Sequence, residues 1–344
     1  MGNEYNYLPL IEPIAISEQV WPEGTIPLVC TNTLTYNHEP YIKECLEGIL
    51  MQKTTFPVQV LIHEDASTDK TADVLKEYQS KYPNLIKVFF QHDNIYNLPC
   101  EEQLKRRAEF TSWEIGKYVA LCEGDDYWID PLKLQKQVNF MEDNPEYGVC
   151  HTGYLYVVGK RLGKNKSVER DDCLKDLLEA TSYIGTLTAL YRKDIYDSLP
   201  QYFIEKNYPF GDLPLWIEFA SVSKIKYLPE ITAKYRVLMN SASHDKDIEK
   251  EIEFHKLTVD CRLFYSEKLN FPISKKKLFY TFHAIIIKRA YEKKSKYIAR
   301  KYFKELRKIN TPSLKITYFY LRSQYRIFDY FMGVLYKILV SLFN

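Results

Sequence analysis

The sequence predicts an α/β fold, in which a mostly parallel sheet is flanked by helices and followed by a helical C-terminal extension. Two observations predict the sheet. Short β-prone apolar runs alternate with segments of helical apolar spacing, which is typical of βαβ units. Several of these runs end in polar clusters, at the positions where parallel sheets bind ligands. A third observation predicts the extension, because the apolar spacing is helical throughout from about residue 246.

The βαβ pattern is clearest between residues 27 and 146. An apolar run at 27–35 is followed by residues of helical spacing, namely Ile42, Cys45, Leu46, Ile49 and Leu50. The acids and hydroxyls of residues 65–69 can cap a second helix. By the same criteria we predict strands at 58–64, 86–90 and 118–123, and helices around 72–78, 100–115 and 131–141.

The pattern changes after about residue 146. Strands are predicted at 147–159, 186–192 and 231–237, with a charged loop at 160–172. A helix is predicted to start within 211–220, with Asp212 as its N-cap and Pro214 in its first turn. We therefore predict an N-terminal extension (1–24), an α/β domain (25–245) and a helical, basic C-terminal region (246–344).

Composition and the N-terminus predict a folded cytoplasmic protein. The 29 Tyr and 18 Phe argue against disorder. Seven scattered cysteines without a C-x-x-C pair argue against a disulfide framework or a zinc ribbon and fit a reducing compartment. The first residues include Glu4 and no basic segment before a short apolar stretch, so they do not match a signal peptide.

Charge is divided unequally along the chain. From Lys275 onward there are 17 Lys and Arg against 3 Asp and Glu, and the earlier part has 30 against 42. This basic C-terminal region predicts contact with an anionic surface, either a membrane or a nucleic acid. Between Ser313 and Asn344 a narrow polar stripe predicts an amphipathic helix at a membrane interface, because charges interrupt a span of about 20 apolar residues. The alternative is that these helices pack on the α/β domain or form a dimer.

Three polar clusters follow predicted strands: TYNHE at 35–39, EDASTD at 64–69 and EGDD at 123–126. Because the carboxyl ends of parallel strands meet at one edge of a sheet, the clusters should line one crevice. Neighbouring carboxylates repel each other unless a cation or hydrogen-bond donors compensate. Asp125 and Asp126 therefore suit Mg²⁺ or Mn²⁺, and the alternative for such a pair is a solvated turn.

In this order the clusters resemble the GT-A-fold glycosyltransferases of family 2. The resemblance runs from about Pro27 to about His244, on TYNHEPYIKECLEGI, EDASTDKT, EGDDYWIDPLKL, GDLPLW and KYRVLMNSASH. It implies inverting, metal-dependent transfer from a nucleotide-sugar, taken as a UDP-sugar, to a hydroxyl of a glycan or lipid-linked saccharide. The Q-x-x-R-W signature of processive synthases is absent, so transfer of a single sugar is expected.

The resemblance also implies where the donor nucleotide binds. The first two clusters hold its base and ribose, which assigns this role to Thr35, Tyr36, Asn37, Glu39 and Asp65. The residue types suit the task, because a carboxylate can accept the uracil N–H and an aromatic ring can stack on the base. For Asp65 the alternative is helix capping.

The acidic motif resembles the D-x-D type, with Asp125 on ribose and metal and Asp126 on the metal. The more usual D-x-D-D reads Glu123-Gly124-Asp125-Asp126 here, so Glu123 receives no role.

Three further roles are implied downstream of the acidic motif. Asp212 stands where the family has its catalytic base, although many relatives have Glu-Asp after the Gly. Arg236 falls in a loop that folds over the diphosphate, and His244 adds a metal ligand.

Two other functions stay open at this point. A sugar nucleotidyltransferase also uses acids and Mg²⁺, but it normally begins with a Gly-rich, basic loop that TLTYNHE does not supply. A non-catalytic membrane or nucleic-acid adaptor does not explain acids after successive strands.

We predict a glycosyltransferase with Mn²⁺ or Mg²⁺ as cofactor and no nucleic-acid partner, peripheral on the inner face of the cell membrane. Oligomeric state is left open.

Overall fold

A computed structural model describes residues 6–159, 161–164, 173–180, 184–238 and 247–325. These described residues fall into two compact units. The first contains the chain up to Cys173 and a later stretch that ends at Val237. The second contains a short stretch that begins at Leu174 and the chain from Leu238 onward. The predicted parts 1–24, 25–245 and 246–344 stay a prediction.

The strands of the described residues lie in the first unit. They are β1 (Ile14–Ala15), β2 (Val29–Thr35), β3 (Lys53–Thr54), β4 (Val58–Glu64), β5 (Ile86–Phe90), β6 (Tyr118–Leu121), β7 (Tyr127–Trp128), β8 (Tyr147–Val158), β9 (Arg161–Lys164), β10 (Leu190–Arg192) and β11 (Lys224–Arg236).

The helices of the described residues are divided between the two units. They are α1 (Ile42–Leu50), α2 (Thr71–Lys81), α3 (Cys100–Ser112), α4 (Lys133–Asp143), α5 (Cys173–Glu179), α6 (Lys193–Ser198), α7 (Asp212–Val222), α8 (Ile248–Lys268), α9 (Lys275–Glu292), α10 (Lys296–Ile309) and α11 (Leu314–Gln324). Almost all of α5, together with α8 to α11, belongs to the second unit.

Among the described residues, nine strands form one sheet in the order β5-β4-β2-β6-β10-β8-β11-β7, with β9 paired to β8. β5, β4, β2 and β6 run parallel, whereas β10 is antiparallel to both β6 and β8. Thr31 of β2 pairs with Val60 on one side and Ala120 on the other, so β2 is central to the parallel half. The predicted α/β fold class is confirmed. The other half of the sheet is mixed, because β8 and β11 run parallel whereas β10 and β7 pair antiparallel with their neighbours.

Burial on both faces explains the composition of the parallel half. β2 and β4 are buried along most of their length, and most of their residues are apolar or β-branched. The apolar positions predicted for α1 are all buried, as its spacing requires. A Cβ added to Gly48 of α1 would lie 2.8 Å from the backbone oxygen of Trp128, so glycine lets α1 approach β7 closely.

Four local predictions differ from the structure. The strand predicted at 231–237 is β11, which begins already at Lys224 because it pairs along β8. Residues 186–188 form a 3-10 turn, because the Thr188 hydroxyl donates to Gly185 O at 2.7 Å and closes the turn. Part of the predicted loop 160–172 is strand β9, which pairs with β8 after a turn at Gly159 with φ 58°. Asp212 is the first residue of α7 rather than its N-cap, since Gly211 occupies that position.

The second unit is a helical cluster with its own core. Glu179 of α5 accepts from Ser274 N at 2.8 Å and from Lys277 Nζ at 3.0 Å, which ties α5 to α9. The rings of Phe303 and Tyr320 stack with centroids 3.9 Å apart. The buried apolar residues of this core are Ile252, Ile286, Ile287, Ala290, Ile298, Ala299, Tyr302, Leu306 and Ile316.

The amphipathic helix predicted for 313–344 is described only in its first part, as α11. Residues 326–344 lie outside the described residues. Over the part of the chain that is described, no helix has both the length and the apolar character that crossing a membrane requires.

Candidate active site

The carboxyl ends of β2, β4 and β6 lie side by side at one edge of the sheet. Backbone hydrogen bonds continue beyond the strands, from Asp65 N to Thr35 O at 3.0 Å and from Gly124 N to Leu34 O at 3.0 Å. Because β2 lies between β4 and β6, its last residue adjoins both neighbouring loops. The three predicted polar clusters therefore meet at this edge.

Asn37 and Glu39 join the first two clusters. Asn37 has a φ of 53°, its N–H donates to Ser67 Oγ at 2.9 Å, and its Oδ1 accepts from Thr68 N at 2.8 Å. Asparagine tolerates this left-handed conformation better than most residues. Glu39 Oε2 accepts from Lys70 N at 3.2 Å. The side chains assigned to the nucleotide thus also hold its two loops together.

Thr35 lies beneath the glycine of the acidic motif. Its Oγ1 is 3.1 Å from His38 Nδ1. A Cβ on Gly124 would come within 2.7 Å of Thr35 Oγ1 and 2.8 Å of His38 Nδ1, so only glycine fits here without a shift. Burial lowers the pKa of His38, and the charge of Asp125 opposes this. Tyr36 is 40% exposed, which leaves it accessible to a ligand.

Asp65 is held by the segment that follows β5. Its Oδ1 accepts from Ile95 N at 3.0 Å and its Oδ2 accepts from Asn94 Nδ2 at 2.9 Å. Burial raises the pKa of Asp65, while the Ile95 hydrogen bond and the Arg107 charge oppose the rise. Each carboxylate oxygen has two lone pairs, so both oxygens can accept one more donor.

Three acids crowd one another after β6. Asp126 is 1% exposed, and its Oδ1 accepts from Arg236 N at 2.7 Å. Burial raises the pKa of Asp126 well above its ordinary value, and the charges of Asp125 and Glu123 raise it further. Burial and the Asp125 charge likewise raise the pKa of Glu123. Its Oε2 is buried without a hydrogen-bond partner among the residues that the structure describes.

Arg236 extends from the end of β11 to the acidic motif. Its guanidinium donates to Asp125 O at 2.6 Å and forms an ion pair with Glu44 of α1. The same group lies 4.3 Å from the centre of the Tyr127 ring, a cation–π contact. These contacts place a fixed positive charge next to the acids.

The acidic motif fits a hard divalent cation. Mg²⁺ and Mn²⁺ prefer oxygen ligands and often take only one or two from protein, so Asp125 and Asp126 can serve. A cation would offset the crowding that raises the pKa of Asp126, and Glu123 Oε2 is a buried oxygen that receives no hydrogen bond from the described residues. Within the described ranges no group of three or more His, Cys, Asp or Glu could hold a metal ion. His244 lies outside the described residues.

Asp212 reaches the same region from α7. It is exposed, and its Oδ1 accepts from Leu213 N at 2.8 Å. Its charge contributes to the raised pKa of Glu123, so the Asp212 carboxylate lies within electrostatic range of the acidic motif. An exposed carboxylate at this position is accessible to an incoming acceptor.

Comparisons with known proteins identify the family of the chain. The model of the family described as glycosyl transferase family 2 matches residues 33–199. An uncharacterized protein of Mycobacterium bovis is 38% identical over 208 residues, which cover 59% of this chain and 57% of that protein. The chain thus spans little more than half the length of this relative.

A glycosyltransferase of Methanocaldococcus jannaschii, itself uncharacterized, is 30% identical over 222 residues, or 61% of this chain and 71% of that protein. The chain belongs to glycosyltransferase family 2. A Bacillus subtilis family member, TuaG, provisionally named as a glycosyltransferase of teichuronic acid biosynthesis, is 28% identical over 227 residues, or 64% of this chain and 83% of that protein.

The fold of this family 2 glycosyltransferase is also found in a solved structure. Residues 1–349 of S. aureus TarS in complex with UDP-GlcNAc match with a TM-score of 0.50 and 17% identity, covering 86% of this chain and 79% of that one. The predicted family and the GT-A fold are confirmed.

Three residues at the ends of β2, β4 and β6, or in contact with the loops there, carried no role in the sequence reasoning. His38 directly follows TYN, and this adjacency was the only available signal. Glu44 pairs with a residue 192 positions away, and Asn94 with one 29 positions away. Such distant pairings leave no local pattern, so the fold alone reveals them.

Proposed function

We propose that the chain is a metal-dependent, inverting glycosyltransferase that moves a single sugar from a UDP-sugar to a hydroxyl of a glycan or lipid-linked saccharide. One observation carries this proposal. Asp126 and Glu123 are buried beside Asp125 at the end of β6, where burial and the Asp125 charge raise the pKa of both, and Arg236 N donates to Asp126 Oδ1 at 2.7 Å. Crowded acids in a cleft are typical of sites that bind a cation or use the acids in a reaction.

The donor nucleotide would bind at the ends of β2 and β4. Asp65 offers a carboxylate to the uracil N–H, and the exposed Tyr36 offers a ring for stacking on the base. Asn37 and Glu39 shape the loop beside the ribose, and Thr35 lies beneath it. TarS, which shares the fold, was solved with UDP-GlcNAc, so a uridine nucleotide is the first donor class to test.

Inverting transfer needs a base on the acceptor side, and Asp212 would take this role. Its carboxylate removes the proton of the acceptor hydroxyl as the oxygen bonds to the anomeric carbon. The bond from that carbon to the diphosphate oxygen breaks with its electron pair, and UDP leaves. Arg236 suits the phosphate oxygens because guanidinium binds them with paired donors.

Asp125 and Asp126 would hold Mn²⁺ or Mg²⁺, with His244 as a further ligand. A cation bound there supplies charge neutralisation for the departing diphosphate, so no acid residue is needed on the leaving-group side. The support for this assignment is the donor chemistry of the acidic motif and the buried oxygen of Glu123.

The second unit supports contact with a membrane surface. The basic residues of α10 are exposed, namely Lys296, Arg300, Lys301, Lys304, Arg307 and Lys308, whereas four of its apolar residues, Ile298, Ala299, Tyr302 and Leu306, are buried. Such a face suits anionic headgroups. We place the protein on the inner face of the cell membrane, and the name of TuaG makes a glycan acceptor the first to test. Equal co-sedimentation with anionic and neutral vesicles would contradict the membrane contact.

Isothermal titration of UDP and GDP, with Mn²⁺ and then with EDTA, tests the donor site. We expect Mn²⁺-dependent UDP binding that Asp126→Ala weakens by about 100-fold or more, because the cation loses a buried ligand. The matched control is Asp143→Ala, which removes an exposed acid at the end of α4 and should leave binding unchanged. Failure of the wild-type protein to bind either nucleotide would refute the proposal.

A further inference from the structure

We propose that Asn94 is a positioning residue for recognition of the nucleobase. It holds the Asp65 carboxylate in the orientation that accepts the uracil N3–H, and it thereby sets a preference for uracil over cytosine. This inference rests on the proposed function, because it assumes that Asp65 meets the base.

The amide of Asn94 fixes Asp65 at two points. Asn94 Nδ2 donates to Asp65 Oδ2 at 2.9 Å and to the backbone oxygen of Asp65 at 3.1 Å. One group therefore bonds both the side chain and the main chain of the same residue, which restricts rotation of the carboxylate. The other Asn94 atom, Oδ1, accepts from Tyr96 N at 3.2 Å, so the amide itself cannot turn over without losing bonds.

The segment that carries Asn94 is anchored from both sides. The Ile95 side chain is 0% exposed, and Ile95 N donates to Asp65 Oδ1 at 3.0 Å. From α3, Gln103 Nε2 donates to Tyr96 O and Leu98 O, each at 2.9 Å. Both carboxylate oxygens of Asp65 thus receive a donor from a segment that is itself held in place.

This arrangement distinguishes two pyrimidines by chemistry. Uracil presents an N–H at N3, which a carboxylate accepts, whereas cytosine presents a lone pair there, which a carboxylate repels. The discrimination depends on where the carboxylate oxygen points. If Asn94 Nδ2 is removed, Oδ2 loses its donor and the carboxylate can rotate, so we expect uracil to lose its advantage.

The test compares UDP and CDP in Mn²⁺ by isothermal titration into the wild-type, Asn94→Ala and Asn97→Ala proteins. We expect the wild type to prefer UDP, and Asn94→Ala to lower the UDP-to-CDP affinity ratio by about tenfold. Asn97 is exposed on the same segment and is the matched control. Asn94→Asp, which keeps the volume but lacks the donor, should lower the ratio as well, and thermal unfolding checks that each variant is folded.

A double-mutant cycle shows whether Asn94 acts through Asp65. In an Asp65→Ala background, Asn94→Ala should leave the UDP-to-CDP ratio unchanged. Equal affinity for UDP and CDP in the wild type, an unchanged ratio in the Asn94 variants, or a parallel loss of both nucleotides would overturn the inference while leaving the proposed function in place. No nucleotide binding by the wild type would instead refute the proposed function.

Discussion

Two buried carboxylates lie at the edge of the sheet where β2, β4 and β6 end, and their surroundings differ. Asp65 follows β4 at one end of this edge, and Asp126 follows β6 at the other. Asp65 receives hydrogen bonds from Ile95 and Asn94, and the charge of Arg107 further opposes the rise of its pKa, to which burial and the charge of Glu64 contribute. Asp126 receives one from Arg236 N, while Asp125 and Glu123 raise its pKa on top of burial. One carboxylate is satisfied by the protein, and the other is crowded by acids.

This difference suggests what each end binds. A carboxylate that is already bonded by neutral amides is preorganised, and it suits recognition of a neutral group such as a base N–H. Crowded carboxylates gain from an added positive charge, so they suit a cation and the diphosphate that it carries. Under the proposed function, the same residue type would serve two tasks because its surroundings differ.

The largest expected effect is on transfer at the crowded end. Asp212→Asn should leave Mn²⁺-dependent UDP binding intact, because it removes a negative charge near Glu123 rather than a cation ligand. It should lower the rate of sugar transfer by about 100-fold to 10,000-fold, since an amide cannot take the acceptor proton. Titration of UDP and a UDP-release assay measure the two quantities separately.

The control for this variant is Asp194→Asn. Asp194 lies in the first turn of α6, and its Oδ1 accepts from the next backbone N–H at 2.8 Å, as the Asp212 carboxylate does. The control should transfer sugar at the wild-type rate. A normal rate in Asp212→Asn would show that Asp212 is not the base.

A smaller effect is expected where the two ends meet, at Gly124. In Gly124→Ala the new methyl group would lie 2.7 Å from Thr35 Oγ1 and 2.8 Å from His38 Nδ1. We expect the free energy of unfolding to fall by about 1–3 kcal/mol and UDP binding to weaken, because one of the loops must shift. Denaturant unfolding and titration measure both.

The matched control is Gly163→Ala on β9, where the new methyl group would make an ordinary contact of 3.8 Å with Tyr156 Cβ. Its stability should stay within about 0.5 kcal/mol of the wild type. If Gly124→Ala is as stable as this control, the acidic motif does not approach β2 as closely as the structure indicates.

The parallel half of the sheet was predictable because its signals are local. β4 and β5 match their predicted ranges, since their apolar runs stand out from the polar clusters around them. The polar clusters at the strand ends could be located for the same reason. The groups that bond to these clusters could not be predicted. Glu44, Asn94 and the Arg236 backbone N–H reach the site only through long-range packing.

The other half of the sheet, formed by β10, β8, β11, β7 and β9, was less predictable. Its strands depend on pairing with neighbours rather than on their own composition. β9 lies in a charged segment and exists by pairing with β8. β11 begins at Lys224, earlier than its apolar run, because it follows β8 in parallel with irregular register. The start of α7 was wrong by one residue, since Gly and Asp are both acceptable N-caps and sequence alone does not decide between them.

The weakest effect is expected for Glu114, a buried carboxylate outside the site. It shows how burial and one hydrogen bond act on a carboxylate, and its test needs no ligand. It lies two residues after α3, is 4% exposed, and its Oε1 accepts from Asn32 Nδ2 at 2.6 Å. Burial raises its pKa from 4.5 to about 7, and the Asn32 hydrogen bond only partly opposes this. One amide donor therefore does not offset burial at Glu114.

The pH dependence of stability tests this reading of Glu114. Because its folded pKa lies above the unfolded value, stability should fall as pH rises from about 4.5 to about 7 and stay lower above that range. Glu114→Gln cannot ionise, so we expect it to exceed the wild type by about 1–2 kcal/mol at pH 8 and to match it near pH 4. The control is Glu109→Gln, at an exposed position of α3, and its stability should not differ from the wild type at either pH. Identical unfolding curves for Glu114→Gln and wild type at both pH values would mean that the Asn32 amide alone satisfies a buried carboxylate, and the contrast between the two ends of the site would then need another cause.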